Sequence, residues 1–196
     1  MDESSLTKSN DTHLTSKVIE DMNDGNKQSK KPNLNNNIII AISLNLEDII
    51  NENIIYEDEI IQDIFYLSII PNISLCEYIK RIFINTNMCI STLINAIIYI
   101  DIFCERKRYI LCFKNIYLIV LTSCLLSLKF NEDKCIDSKF YAKIGGINQK
   151  KLNDLEYSFY LNLHFSLFVN DDLYNNYFNY FSNYLIPSKE KDAKEV

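Results

Sequence analysis

Residues 115–130, NIYLIVLTSCLLSLKF, leave the chain few choices of fold. Ile116, Leu118, Ile119, Val120, Leu121, Cys124, Leu125, Leu126 and Leu128 fall on every side of a helical wheel. A helix apolar all round is either the centre of a packed bundle or a membrane span. Small residues, Thr122, Ser123, Cys124 and Ser127, stand between the large ones, where neighbouring helices can cross closely. Lys129 ends the run, and the loop Asn131-Glu132-Asp133 follows. The pattern predicts a soluble bundle wrapped around this helix, with Lys129 at the rim where a partner can reach it.

The membrane alternative is weaker. The run 110–128 is about as long as a bilayer needs, but the adjacent apolar run, 88–103, is shorter and contains Asp101, and a charge in a span is costly. Asn115, Thr122, Ser123 and Ser127 dilute the first run, and mean hydropathy is −0.09. A membrane-embedded bundle is therefore the minor reading, and no membrane partner is expected.

With only three glycines and three prolines in 196 residues, long uninterrupted elements are expected. Heavy use of Ile and Tyr inflates apparent strand propensity, so periodicity is the better guide. Residues 1–37 are polar and aperiodic and read as a disordered tail. A helical lead-in, 38–69, should hold two short helices, 46–56 and 57–69, and Pro71 then breaks the chain. The main bundle with its last helix spans 70–186, and 187–196 form a charged tail.

Within the bundle, Ser74 can cap a first helix over 74–85, whose face is Leu75, Tyr78, Ile79, Ile82 and Phe83. A second runs from about 88–91 to 106, with Asp101 set among its apolar residues. The central helix is third. Ser138–Ile144 is fourth, with Gly145-Gly146 as its left-handed cap. Asn148 caps a fifth, 149–162, and Asn170 a sixth, with Asp171 and Asp172 well placed in its first turn. The fold class is all-α.

The chemistry points to binding rather than catalysis. A net charge of −6 argues against a nucleic-acid partner. The six cysteines form no CxxC pair, and only His13 and His164 could complete a zinc site, so no metal is expected. The chain has no Gly-rich phosphate loop and no nucleophile motif, so no cofactor and no catalytic residue are expected. Arg81 and Asp101 read as an ion pair tying the first bundle helix to the second. No signal peptide is read at the N-terminus, so a reducing intracellular compartment, nuclear or cytoplasmic, is expected.

Five short motifs then occur in order. Pro71-Asn72-Ile73-Ser74-Leu75 with Tyr78-Ile79-Lys80-Arg81-Ile82 opens the bundle, and Tyr99-Ile100-Asp101 lies in its second helix. Lys129-Phe130 closes the third, FYAKIGG occupies 140–146, and Leu152-Asn153 with Leu155-Glu156 lies in the fifth. This set resembles the single cyclin box of P-type, phosphate-signalling (PHO-like) cyclins. The resemblance covers about 60–184 and implies a five-helix bundle around a central apolar helix, with short N-terminal helices and a C-terminal helix. It differs from the family pattern at Ile102, where an arginine is usual, and at Tyr117-Leu118. The substrate-docking M-R-A-I-L patch of cell-cycle cyclins is replaced by Asn72-Ile73-Ser74.

The resemblance implies a non-catalytic regulatory subunit that forms a heterodimer with a cyclin-dependent serine/threonine protein kinase and activates it. Lys129 and Glu156 match the pair that hydrogen-bonds backbone around the kinase αC helix. Phe130, Tyr160, Phe165 and Leu167 match positions that pack on the kinase. The alternative is a cyclin-box adaptor that binds transcription factors or peptides without a kinase.

Overall fold

The computed structural model describes residues 34–184, and all its regular elements are helical. Helix α1, Leu34–Glu52, leads into a 3-10 turn, Asn53–Glu59. An irregular stretch follows, and then come α2 (Leu75–Thr86), α3 (Ile90–Lys107), α4 (Ile116–Asn131), α5 (Ser138–Ile144), α6 (Gln149–Asn162) and α7 (Asp171–Asn183).

The middle of the fold is α4. Every residue from Ile116 to Leu128 is buried, and Lys129 and Phe130 are the first to emerge. Its small polar residues are satisfied without water. Thr122 donates to the Leu118 carbonyl at 2.6 Å and Ser123 to that of Val120 at 3.1 Å. The Ser127 hydroxyl donates across to the Thr92 carbonyl of α3 at 2.6 Å, which is how these two helices pack closely. On another side, Tyr141 of α5 donates to the Leu121 carbonyl at 2.8 Å. Gly145 presses on the same residue, where a β-carbon would sit 2.2 Å from a Leu121 methyl. Gly146 makes the left-handed turn (φ 71°), so the two glycines have separate tasks.

The caps fall where the sequence puts them. Ser74 accepts from Glu77 N–H at 3.2 Å, Asn148 from Lys151 N–H at 2.8 Å, and Asn170 from Leu173 N–H at 2.8 Å. Asn87 and Arg108 close α2 and α3 in the left-handed conformation, roles that lack of glycine had hidden.

The lead-in differs from expectation. In place of helices over 46–56 and 57–69 there is one helix beginning at Leu34, then a 3-10 turn and irregular chain. Its core stripe, Ile38, Ile42, Leu46 and Ile50, recurs every fourth residue and packs between α2 and α7. The run Asn35-Asn36-Asn37 has poor helix propensity, which disguised the start. The expected disorder over 1–37 thus fails at 34–37, and the rest of that tail, like 187–196, lies outside the described residues.

The irregular stretch is fixed by one buried aromatic. Phe65 meets Phe103, Phe159 and Tyr109 edge-on at 5.4, 6.0 and 6.4 Å, while Phe103 and Phe159 stack at 4.4 Å. Asp63 beside it takes hydrogen bonds from Lys107 at 2.6 Å and the Tyr109 hydroxyl at 2.8 Å. Among the described residues no helix is long and apolar enough to cross a membrane.

Candidate partner-binding site

Helix α4 surfaces at its last turn because the apolar run stops at Leu128. There Lys129 Nζ donates to Glu156 Oε1 of α6 at 2.5 Å. The lysine side chain is 43 % exposed and the glutamate 21 %. Each follows directly on a core residue, Leu128 and Leu155, so packing fixes both backbones. A cation at a helix C-terminus is favourably placed, but an ion pair this exposed contributes at most about 1 kcal/mol to folding. Both groups keep unused hydrogen-bonding capacity facing solvent: the ammonium has three donors and the carboxylate about four lone-pair positions.

Tyr160 stands one helical turn beyond Glu156 on the same side of α6. The helix then ends abruptly, with His164 and Phe165 both left-handed (φ 51° and 58°), an uncommon state for side chains of this size. Arg106 holds the turn by donating to the Leu163 carbonyl at 2.5 Å. The turn lays Phe165 edge-on against Tyr160 at 5.0 Å and leaves it 56 % exposed. Phe130, beside Lys129, is 54 % exposed. The result is a charged pair flanked by outward-facing aromatic rings.

Two sequence expectations require correction. Leu167 is no surface residue: it is 7 % exposed, and its carbonyl accepts the buried Tyr99 hydroxyl at 2.7 Å. The exposed residue there is Phe168, at 77 %. Sequence reasoning missed it because irregular chain has no periodicity from which to read a face.

Arg81 and Asp101 do not pair. The Arg81 guanidinium donates to the Lys143 carbonyl at the end of α5, 3.3 Å away. Asp101 Oδ2 instead accepts the Tyr177 hydroxyl of α7 at 2.5 Å. Arg81 lies on the side of α2 that meets α5, and Asp101 on the side of α3 that meets α7, so adjacent helices do not bring them together. Burial pushes the Asp101 carboxyl above its usual range, with the Tyr177 hydrogen bond pulling part of the way back. Asp101 is therefore a largely covered acid held by a phenol.

What this geometry defines is an all-helical bundle that carries a charged pair flanked by exposed aromatic rings. The chain belongs to the cyclin family, whose model matches residues 4–167, well over half of it. Among curated relatives, Cyclin-U4-3 of Arabidopsis thaliana is 36 % identical over 108 residues, covering 55 % of this chain and 49 % of the relative. Cyclin-U4-2 of the same plant is 37 % identical over 108 residues, covering 55 % and 50 %. Cyclin-P3-1 of Oryza sativa subsp. japonica is 28 % identical over 131 residues, covering 67 % and 54 %. The chain spans about half the length of the curated relatives it matches. The family match reaches back to residue 4, across the segment that the sequence reads as a polar tail.

Proposed function

We propose that this chain is the regulatory subunit of a cyclin-dependent serine/threonine kinase, of the P-type, phosphate-signalling kind, acting as a heterodimer in nucleus or cytoplasm. The observation that carries the reading is the Lys129–Glu156 pair, held by core neighbours on two helices yet facing solvent with donors and acceptors to spare. A kinase αC helix and its flanking backbone offer the complementary groups, since helix ends carry unsatisfied N–H and C=O groups. Phe130, Tyr160 and Phe165 supply the apolar contact around it, as aromatic residues do at the centre of protein interfaces. Packing against αC favours its inward position, in which the kinase lysine–glutamate pair closes and the activation loop orders. The cyclin contributes preference for that conformer and no reacting group. The similarity to Cyclin-P3-1 supports the P-type assignment.

The test is affinity purification of the tagged chain under mild salt, read by mass spectrometry, with Lys129→Ala and Glu156→Ala beside it. A cyclin-dependent kinase should co-purify with the wild type and be lost from both variants. Absence of such a kinase from the wild-type purification would overturn the reading.

A further inference from the structure

Helix α7 packs on both α1 and α3, and the three leave a cleft of about 290 Å³. Asn45 and Ile49 of α1, Asp101 of α3, and Tyr177, Tyr180 and Phe181 of α7 line it. Asp101 is the one charged group among these, set in an otherwise apolar stretch of α3. Burial, and then the hydrogen bond to Asp101, keeps the Tyr177 phenol protonated, so Tyr177 serves Oδ2 as a donor. Oδ1 takes no hydrogen bond among the described residues, and no lysine or arginine there pairs with the carboxylate. Asn45 donates its amide N–H to the Tyr180 hydroxyl at 3.1 Å, which leaves its side-chain carbonyl as a second acceptor.

Such walls suit a positive guest. A carboxylate largely covered by rings and lacking a cation is costly, and an entering cation removes that cost. Tyrosine faces attract cations, and charge-assisted hydrogen bonds to a carboxylate are about twice as strong as neutral ones. Glu105 of α3 also acts electrostatically on Tyr177, and the whole chain carries −6, so the field at the cleft favours cations and opposes anions. The volume lies at the small end of ligand pockets, which fits a short molecule better than a segment of a macromolecule.

We propose that the cleft between α1, α3 and α7 binds a small organic cation, an ammonium or guanidinium on a short aliphatic stem, with its charged head on Asp101 Oδ1 and its stem against Tyr177 and Tyr180. The site shares no residue with the Lys129–Glu156 face, which stands on α4 and α6.

The probe is agmatine, titrated into the full chain with isotopically labelled tyrosine rings and followed by NMR. Saturable shifts of the Tyr177 and Tyr180 ring resonances are expected, each identified by its loss in Tyr177→Phe or Tyr180→Phe. Asp101→Asn should weaken binding roughly tenfold or more, because the charge-assisted contact is gone. Tyr180→Ala, which removes a half-exposed wall, should weaken it as well, and both variants should keep wild-type circular dichroism. Pentanol, with a similar stem and no charge, should give no saturable shift. Lys129→Ala should bind agmatine as the wild type does, so failure of the kinase reading and failure of this one are distinguishable. No saturable shift with agmatine, or wild-type affinity in both Asp101→Asn and Tyr180→Ala, would overturn the proposal. An equal response to pentanol would also overturn it, leaving the cleft merely apolar. Binding of an acetylated arginyl dipeptide where agmatine fails would overturn it too, and would assign the cleft to a partner protein's side chain.

Discussion

Two carboxylates show how position decides the sign of a charge's contribution. Glu132 sits just past α4, yet its Oε1 accepts the Cys89 N–H at 2.9 Å and its Oε2 takes Lys134 Nζ at 2.8 Å. Lys134 reaches on to the Asn87 carbonyl at 2.7 Å. Cys89 gives α3 no side-chain cap, so this carboxylate anchors the start of that helix, where the dipole favours an anion. Burial opposes ionisation of Glu132, but hydrogen bonds from Lys134, Cys89 and Thr92 outweigh it and hold its pKa below the usual range. The stabilisation is therefore complete above the ordinary carboxylate pKa and is lost as pH falls through the lower folded value. Glu132→Gln should cost about 1–2 kcal/mol at neutral pH, with the difference vanishing in acid. Urea midpoints at both pH values measure it. Asp101 has the opposite sign, since its pKa is raised and its ionised form is the costly one. Asp101→Asn keeps a carbonyl acceptor for Tyr177, so it should be at least as stable as wild type near neutrality. That advantage should shrink as pH falls and the native aspartate gains its proton. A lower midpoint at neutral pH would mean that the charge is solvated in solution.

Residue scale is also where legibility of the site divides. Lys129 could be read as a rim residue because it ends the apolar run of α4, and Glu156 was set beside it by the resemblance to the cyclin box at 129–130 and 152–156. Leu167 and Arg81–Asp101 could not. A helical wheel gives a face but not the neighbour opposite it, and the chain beyond Leu163 has no wheel.

Among the elements, α5 ends so close to α4 that Gly145 has no room for a side chain against Leu121. Gly145 has an ordinary φ of −74°, so its need for glycine comes from Leu121 and not from backbone conformation. Gly145→Ala should cost about 1–3 kcal/mol through overpacking. Gly145→Ala combined with Leu121→Ala should cost less than the sum of the two single changes, since each relieves the other's misfit. Strict additivity in denaturation would show that α5 moves away freely. Helices α2, α6 and α7 were legible because N-caps and apolar stripes agree at each of them, α5 because two glycines stop it, and α3 and α4 from their apolar runs, with no side-chain cap at either. Helix α1 was half-legible: its stripe Ile38, Ile42, Leu46 and Ile50 is regular, but three asparagines stand where a helix start is expected to be better marked. The irregular stretch after it was not legible, because Phe65 and Asp63 are placed by partners from α3 and α6 and not by any local period.

At the scale of the molecule, burial decreases outward from α4, and so should resistance to opening. Amide exchange under native conditions should be slowest from Tyr117 to Leu128, close to the global unfolding limit. It should be faster in α7, where Phe181 is the one fully buried residue among those described. Equal protection of the two helices would contradict a bundle organised about α4.

The central claim is that Lys129 and Glu156 face a kinase and are not simply bound to each other. The exchange variant Lys129→Glu with Glu156→Lys tests it most directly, because it preserves the ion pair while reversing what the partner meets. With a purified cyclin-dependent kinase that the wild type captures, calorimetry should give the exchange variant a wild-type melting profile. Its kinase affinity should nonetheless fall by roughly thirtyfold or more, the loss typical when one side of a buried charged contact is removed. Wild-type affinity in the exchange variant would contradict the account and leave the pair a structural bridge alone.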